Sequence, residues 1–270
     1  MAQQTRPPAA LVDEMMEILC AEPTITARRL DAVIRTTLKG TTHRFPRIPD
    51  LVASYRRQLV KNKKRHLILE RLLRCKSVRT DSGVAPITLL TKPYACPGKC
   101  VYCPTEVRMP KSYVASEPAA ARALSLKFDP YLQVKKRIEA LEANGHEAKK
   151  IDLIIKGGTW SAYPWAYRQW FVKRCFDAAN QLGQKVRTRY ANLAISQKAN
   201  EKADYRVIGL TIETRPDWIT SKEIVRLREL GCTRVELGVQ ALDDEILALT
   251  NRGHDVADEG AIALSARNDR

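Results

Sequence analysis

Apolar residues recur at helical spacing through the first 85 positions. Leu11, Met15, Ile18 and Leu19 form one stripe, and Leu30, Val33, Ile34 and Leu38 form a second. No strand-like alternation interrupts them. After Gly83 the pattern changes to short apolar runs separated by amphipathic segments, which predicts strand-helix units around a parallel sheet. The predicted strands are 86–92, 151–156, 207–213 and 234–239. Asp129 and Pro130 start a predicted helix with a buried stripe of Tyr131, Val134, Ile138 and Leu141, and Gly145 ends it. Residues 164–182, with Gly183 behind them, form a second helix. Thr220 and Glu223 make a capping box for a third, which carries Ile224, Leu227 and Leu230 and stops at Gly231. Three helices between four strands predict an α/β fold, an open or partial (β/α) barrel, preceded by a helical domain over 1–85.

Charge sharpens this picture. The chain carries 46 Lys and Arg against 30 Asp and Glu, a formal charge of +16, which is the footprint of a polyanion binder. Residues 1–85 hold 17 of these cations and 8 of the acids, so more than half of the excess lies in under a third of the chain. The densest run is Arg56, Arg57, Lys61, Lys63, Lys64 and Arg65. At helical spacing Arg57, Lys61 and Lys64 share one face, and the run is the candidate nucleic-acid contact, with a solvated helix face as the alternative reading. Hydrophobic residues make up 44% of the chain, far from a disordered composition. No apolar run approaches the roughly 18 residues that span a bilayer, and the N-terminus lacks a signal-peptide pattern, so a cytoplasmic protein that does not enter membranes is expected.

Seven cysteines, an odd number without a secretory signal, favour metal or catalytic use over disulfides. Three of them lie within eight residues, in Cys96-Pro97-Gly98-Lys99-Cys100-Val101-Tyr102-Cys103, directly after the first predicted strand. Pro and Gly bend such a loop so that three thiolates reach one centre. Iron-sulfur clusters are commonly held by four thiolates, so three on a four-iron cube leave one iron without a protein ligand. The competing readings are zinc, for which no fourth ligand lies nearby, and buried thiols. Lys156-Gly157-Gly158-Thr159 ends the second strand, where glycines let backbone approach a ligand or simply turn the chain. Glu213 and Arg215, with Asp217 behind, end the third strand either facing a polar cofactor or as a surface ion pair, and Gln240 sits at the mouth after the fourth. Parallel barrels gather their chemistry at these strand ends.

The three-then-two cysteine spacing, with an aromatic before the last cysteine, resembles the radical S-adenosylmethionine superfamily motif. That resemblance implies a 4Fe-4S cluster on Cys96, Cys100 and Cys103, with S-adenosylmethionine on the open iron and on Gly157, Gly158, Thr159, Glu213, Arg215 and Gln240. More specifically, Arg79 to Gly83, the cysteine loop, Glu117-Pro118, Phe128 to Tyr131, Gly157 to Thr159, Thr211 to Asp217, Val235 to Gln240 and Asn251-Arg252-Gly253-His254 together resemble the catalytic-subunit family of the Elongator complex and its stand-alone archaeal and bacterial relatives. This resemblance implies a tRNA uridine-34 carboxymethylating enzyme that uses acetyl-CoA, and a tRNA-binding role for the basic N-terminal region. By motif position Lys150 matches a family lysine associated with acetyl-CoA; on its own it reads as a solvated lysine. Cys20, Cys75, Cys175 and Cys232 match no motif and read as small buried hydrophobes. The cysteine loop is shorter than in eukaryotic members. After Asp258 the family pattern is lost, so the expectation is an incomplete barrel over 86–258, a divergent tail over 259–270 and no C-terminal acetyltransferase domain. The alternatives are a tRNA-binding module without turnover and a radical enzyme with another substrate.

Overall fold

The structure, a computed structural model, describes residues 5–184 and 188–257; the expected tail over 259–270 lies outside the described residues. Two compact units divide the chain: residues up to Gly83 with Ile138–Ala148, and the remainder.

The first unit is helical, with α1 (Ala9–Ala21), α2 (Ala27–Leu38), α3 (Ile48–Asn62) and α4 (Leu67–Leu72). Its core is built by Val12, Met15, Met16 and Leu19 of α1, Leu30, Val33, Ile34 and Leu38 of α2, Leu51, Val52 and Tyr55 of α3, and Leu69. The α2 stripe is the one its periodicity predicts. On α1 the buried face is rotated: Met16 is buried while Ile18 is exposed, because Val12, Met15, Met16 and Leu19 keep the i, i+3, i+4, i+7 spacing of one face and Ile18 falls off it. Thr26 caps α2, its Oγ1 accepting from Arg29 N at 3.2 Å. Helix α3 closes at Lys63, which is left-handed with φ 53°. Lys64 therefore lies beyond the helix and does not continue the face of Arg57 and Lys61, contrary to the spacing argument.

The second unit is a four-stranded parallel sheet in the order β1 (Ala85–Leu90), β2 (Lys150–Lys156), β3 (Arg206–Thr214), β4 (Arg234–Leu237). Ile87, Leu153 and Leu210 stand side by side in the register, as do Thr214 and Leu237, so all four strands deliver their C-terminal ends to one edge. Between β1 and β2 come the cysteine loop, α5 (Pro118–Ser125) and α6 (Pro130–Ala143). Buried Gln133 of α6 accepts from Leu90 N and donates to Leu90 O, both at 3.0 Å, satisfying the free edge of β1 at its last residue as a fifth strand would. Strand β4 is two residues shorter than predicted: Gly238 N still bonds Thr214 O, but Val239 N already turns back to Leu237 O.

Between β2 and β3 the chain forms α7 (Trp165–Gln181) and a helix that periodicity did not reveal, α8 (Leu193–Asn200). Polar side chains pin α8 to α7. Asn180 Nδ2 donates to Ser196 O at 2.8 Å, Ser196 Oγ to Asp177 Oδ1 at 2.8 Å, and Asn200 Nδ2 to Asn180 Oδ1 at 2.7 Å, all buried. After β3 comes α9 (Ser221–Glu229), where Thr220 Oγ1 accepts from Glu223 N at 3.2 Å. The Glu223 carboxylate is taken up by Arg168 of α7 in an ion pair buried on both sides. Trp165 stacks under that guanidinium at 5.1 Å and under Arg226 at 5.5 Å, while Trp160 packs edge-on to Phe171. After β4 the chain ends its described part with α10 (Asp244–Leu249). Burial pushes the Cys175 thiol well up and that of Cys232 to about 11, consistent with their reading as buried apolar groups. Among the described residues no helix is long and apolar enough to cross a membrane.

Breaking a buried pair leaves one charge uncompensated, at a cost of about 3–5 kcal/mol, whereas apolar replacement of both partners is often neutral. Arg168→Met should lower the urea unfolding free energy by about that amount, and adding Glu223→Leu should recover most of it; an unchanged midpoint in the single variant would refute a stabilising role for this pair.

Candidate metal centre

The segment after β1 is fixed before its first cysteine is reached. Thr91 N donates to Lys156 O at 3.0 Å, and the Tyr163 hydroxyl donates to Lys92 O at 2.6 Å while sharing a hydrogen bond with Thr91 Oγ1 at 2.8 Å. Tyr94 stacks on Tyr163 with ring centroids 4.7 Å apart. The loop then turns through Pro97 and Gly98, and each cysteine meets a different anchor. Cys96 Sγ lies 3.5 Å from Thr159 Oγ1 after β2, Cys100 Sγ 3.5 Å from Arg252 Nη1 after α10, and Cys103 Sγ 2.9 Å from Ser112 Oγ within the loop. Val101 N donates to Thr250 O at 3.0 Å, tying the loop's middle to the end of α10.

Electrostatics separate the thiols. Burial pushes Cys100 up, but the Arg252 guanidinium bonded to its sulfur, together with neighbouring Cys103 and the charge of Arg215, outweighs this and holds the thiol below its ordinary range. At Cys103 burial prevails over the Ser112 hydrogen bond, and the thiol is raised. The charges of Cys100 and Cys96 both bear on Cys103 and help to raise it. Among the described residues no three His, Cys, Asp or Glu are grouped as one metal ion would need. A four-iron cube makes a different demand, since each thiolate binds its own iron. Three separately anchored thiols on one loop fit that donor set.

The other predicted residues fall into three groups. Gly157 and Gly158 both have positive φ, 135° and 67°, and Gly157 packs so closely on Thr91 that a Cβ would lie 2.1 Å from its Oγ1. Thr159 is buried, Arg215 is buried and bound to Asp217 at 2.8 Å, and exposed Gln240 turns with φ 78° near Gly238. Glu213 and Arg215 are not paired to each other: Glu213 accepts from the Tyr113 hydroxyl at 2.8 Å and faces Lys156 Nζ at 3.5 Å. Lys156 in turn holds Glu236 at 2.8 Å. Burial lowers the Lys156 ammonium, but the two carboxylates outweigh it and raise its pKa. Lys150 is not brought to this edge. It is exposed at the first position of β2, six residues and about 20 Å of strand from Lys156.

In the helical unit the basic run is largely spoken for. Arg57 pairs with Asp13 at 2.6 Å, Lys61 with Glu17 at 3.3 Å and Arg65 with Glu70 at 2.7 Å, while Arg56 donates to Glu142 O at 3.0 Å. Among the described residues Lys63 and Lys64 form no ion pair. The residues that sequence reasoning left out of the site are Arg252, Lys156, Glu236 and Tyr113. Arg252 stood in a quoted motif, but only the fold brings it to Cys100.

The chain matches the Radical SAM superfamily over residues 90–259. It is 49% identical over 197 residues to a protein named tRNA uridine(34) acetyltransferase from Methanocaldococcus infernus, covering 71% of this chain and 36% of that one. It is 32% identical to Elongator complex protein 3 of Drosophila melanogaster, covering 91% of this chain and 44% of that one. Among solved structures, the archaeal Elp3 of Methanocaldococcus infernus with an N-terminal deletion superposes with a TM-score of 0.53 at 40% identity, over 67% of this chain and 34% of that one. The chain thus spans less than half the length of these relatives.

A side chain at Gly157 must displace Thr91, whose backbone N lies only 3.2 Å from the added Cβ, whereas at Gly158 the nearest atoms are 3.8 Å away. Both positions disfavour L side chains by φ, a strain of order 1–3 kcal/mol. Gly157→Ala should therefore destabilise more than Gly158→Ala in urea unfolding, and equal midpoints would refute the packing account.

Proposed function

The chain belongs to the Radical SAM superfamily, and we propose that it is a module of a tRNA-modifying radical enzyme in which Cys96, Cys100 and Cys103 hold a 4Fe-4S cluster. The observation that carries this reading is the cysteine loop, with three thiols on separate anchors and a guanidinium on the middle one. When bound, the cluster supplies one electron to cleave the sulfonium of S-adenosylmethionine to a carbon radical. The chain's own part is to bind and orient. Gly158 leaves room for the methionine amine beside Thr159, with Gly157 closing the turn onto Thr91; Glu213 offers carboxylate oxygen held by Tyr113 and Lys156; Gln240 adds a polar contact at the same edge, and Arg215 keeps only Nη1 free to serve a bound group there. Such a cluster suits a reducing compartment, and the cytoplasm is the expected one.

The names of the relatives point to uridine 34 of tRNA as the acceptor and to acetyl transfer; on this reading acetyl-CoA is the donor and the product is a carboxymethylated uridine. An acetyl-CoA contact by Lys150 would lie at the far end of β2 from the cysteine loop. Transfer-RNA binding is assigned to the basic helical unit. Phosphate neutralisation releases counterions and makes affinity salt-dependent, and a cation already held by a carboxylate releases fewer. Within the run, Arg56, Lys63 and Lys64 are the cations without a carboxylate partner, and they carry more of the binding than Arg57, Lys61 and Arg65.

Anaerobic reconstitution with iron and sulfide should load about four irons per chain, and Cys100→Ser should abolish the loading. With dithionite and S-adenosylmethionine the loaded protein should release 5'-deoxyadenosine. A zinc-loaded, colourless protein that takes up no iron overturns the cluster reading. In mobility shifts with tRNA, charge reversal of Arg56, Lys63 and Lys64 should weaken binding and flatten its salt dependence more than reversal of Arg57 and Lys61. The opposite ranking would refute the assignment of the free cations.

A further inference from the structure

Arg215 lies just past β3 and is 5% exposed. Most of its donors are accounted for. Nε and Nη2 fork onto the Asp217 carboxylate at 2.8 and 2.9 Å, and Nη2 also donates to the Arg252 carbonyl at 2.7 Å. Nη1 is different: it is buried and has no hydrogen-bond partner. It lies against the loop between the first two cysteines, where a Cβ at Gly98 would stand 2.0 Å from Nη1 and 2.9 Å from Cζ. Cys96 and Cys100 are the thiols whose charge bears on Arg215. Leaving a buried donor unpaired costs about 1–3 kcal/mol, more for a charged group. The fork holds the unpaired Nη1 against Gly98, between Cys96 and Cys100 in the chain, and glycine leaves it the space.

We infer that Arg215 is a positioning residue for the iron-sulfur cluster, donating Nη1–H to a sulfur at the edge between Cys96 and Cys100 and favouring the reduced, more negative state. The inference rests on the cluster reading above. Asp217 sits on the opposite edge of the guanidinium, so the Nη1 edge is the positive one facing the loop. Cluster potentials respond to net charge and to hydrogen bonds on sulfur, and a planar, always-charged fork fixes such a bond in a way a lysine does not.

The test is a dithionite titration of the reconstituted full chain followed by electron paramagnetic resonance. S-adenosylmethionine is left out, so that contacts with that molecule cannot move the reading. Arg215→Gln should retain its iron and make cluster reduction about tenfold less favourable, about 59 mV for a one-electron couple. Gly98→Ala, which pushes Nη1 out of the loop while keeping the charge, should shift the midpoint in the same direction by less. A parent-like midpoint in loaded Arg215→Gln overturns the inference. If that variant is folded but takes up no iron, Gly98→Ala decides, and a parent-like midpoint there overturns it. A parent chain that binds no iron fails at the cluster reading itself, which is a separate result.

Discussion

Parallel pairing in register is the constraint from which the site follows. Because β1 and β2 advance together, β2 and β3 keep step from Asp152 and Gly209 onward after one shift of register at Ile151, and β4 joins at Thr211, the segments after each strand emerge on the same edge. The cysteine loop follows β1, Gly157 to Thr159 follow β2, Arg215 follows β3 and Gly238 to Gln240 follow β4. The three candidate thiols all lie in the loop after β1 rather than on a helix. The helices instead hold the strands: α6 binds the free edge of β1 at Leu90, and α7 is locked to α9 by the buried pair of Arg168 and Glu223. A one-residue slip between β2 and β3 would exchange Ile212 with its neighbours across the sheet and carry Arg215 away from Gly98.

Much of this was legible in the residues. Strand positions follow from short apolar runs, and the three helices predicted between them from their stripes, caps and stops, because burial on one face writes a period into the sequence. What was not legible was written in another currency. Helix α8 is held by Asn180, Ser196, Asp177 and Asn200, polar contacts that leave no apolar period to read. The face shared by Arg57 and Lys61 stops at Lys63 because one residue adopts a left-handed conformation, which a lysine does not announce as a glycine would.

The site shows the same division. Cysteine spacing is local, so it is enough to single out three candidate thiols. The partners of those thiols are not local: Arg252 lies 152 positions from Cys100, and Glu213 finds Tyr113 across 100 positions. Charge pattern alone joined Glu213 to Arg215, two residues apart; the structure gives each a different counter-ion. The basic run likewise looked uniform until α1 supplied Asp13 and Glu17, which divide it into paired and free cations.

The four tryptophans, Trp160, Trp165, Trp170 and Trp218, all belong to the sheet unit. Trp165 lies between two guanidinium groups and Trp160 is sealed against Phe171, so their emission depends on the packing around α7 and α9. The helical unit is optically silent at those wavelengths, with Tyr55 its main chromophore. Indole fluorescence and far-ultraviolet dichroism therefore report on different populations of the chain, the first on one unit and the second on both. Any gap between the two signals on heating measures how independently the halves hold together.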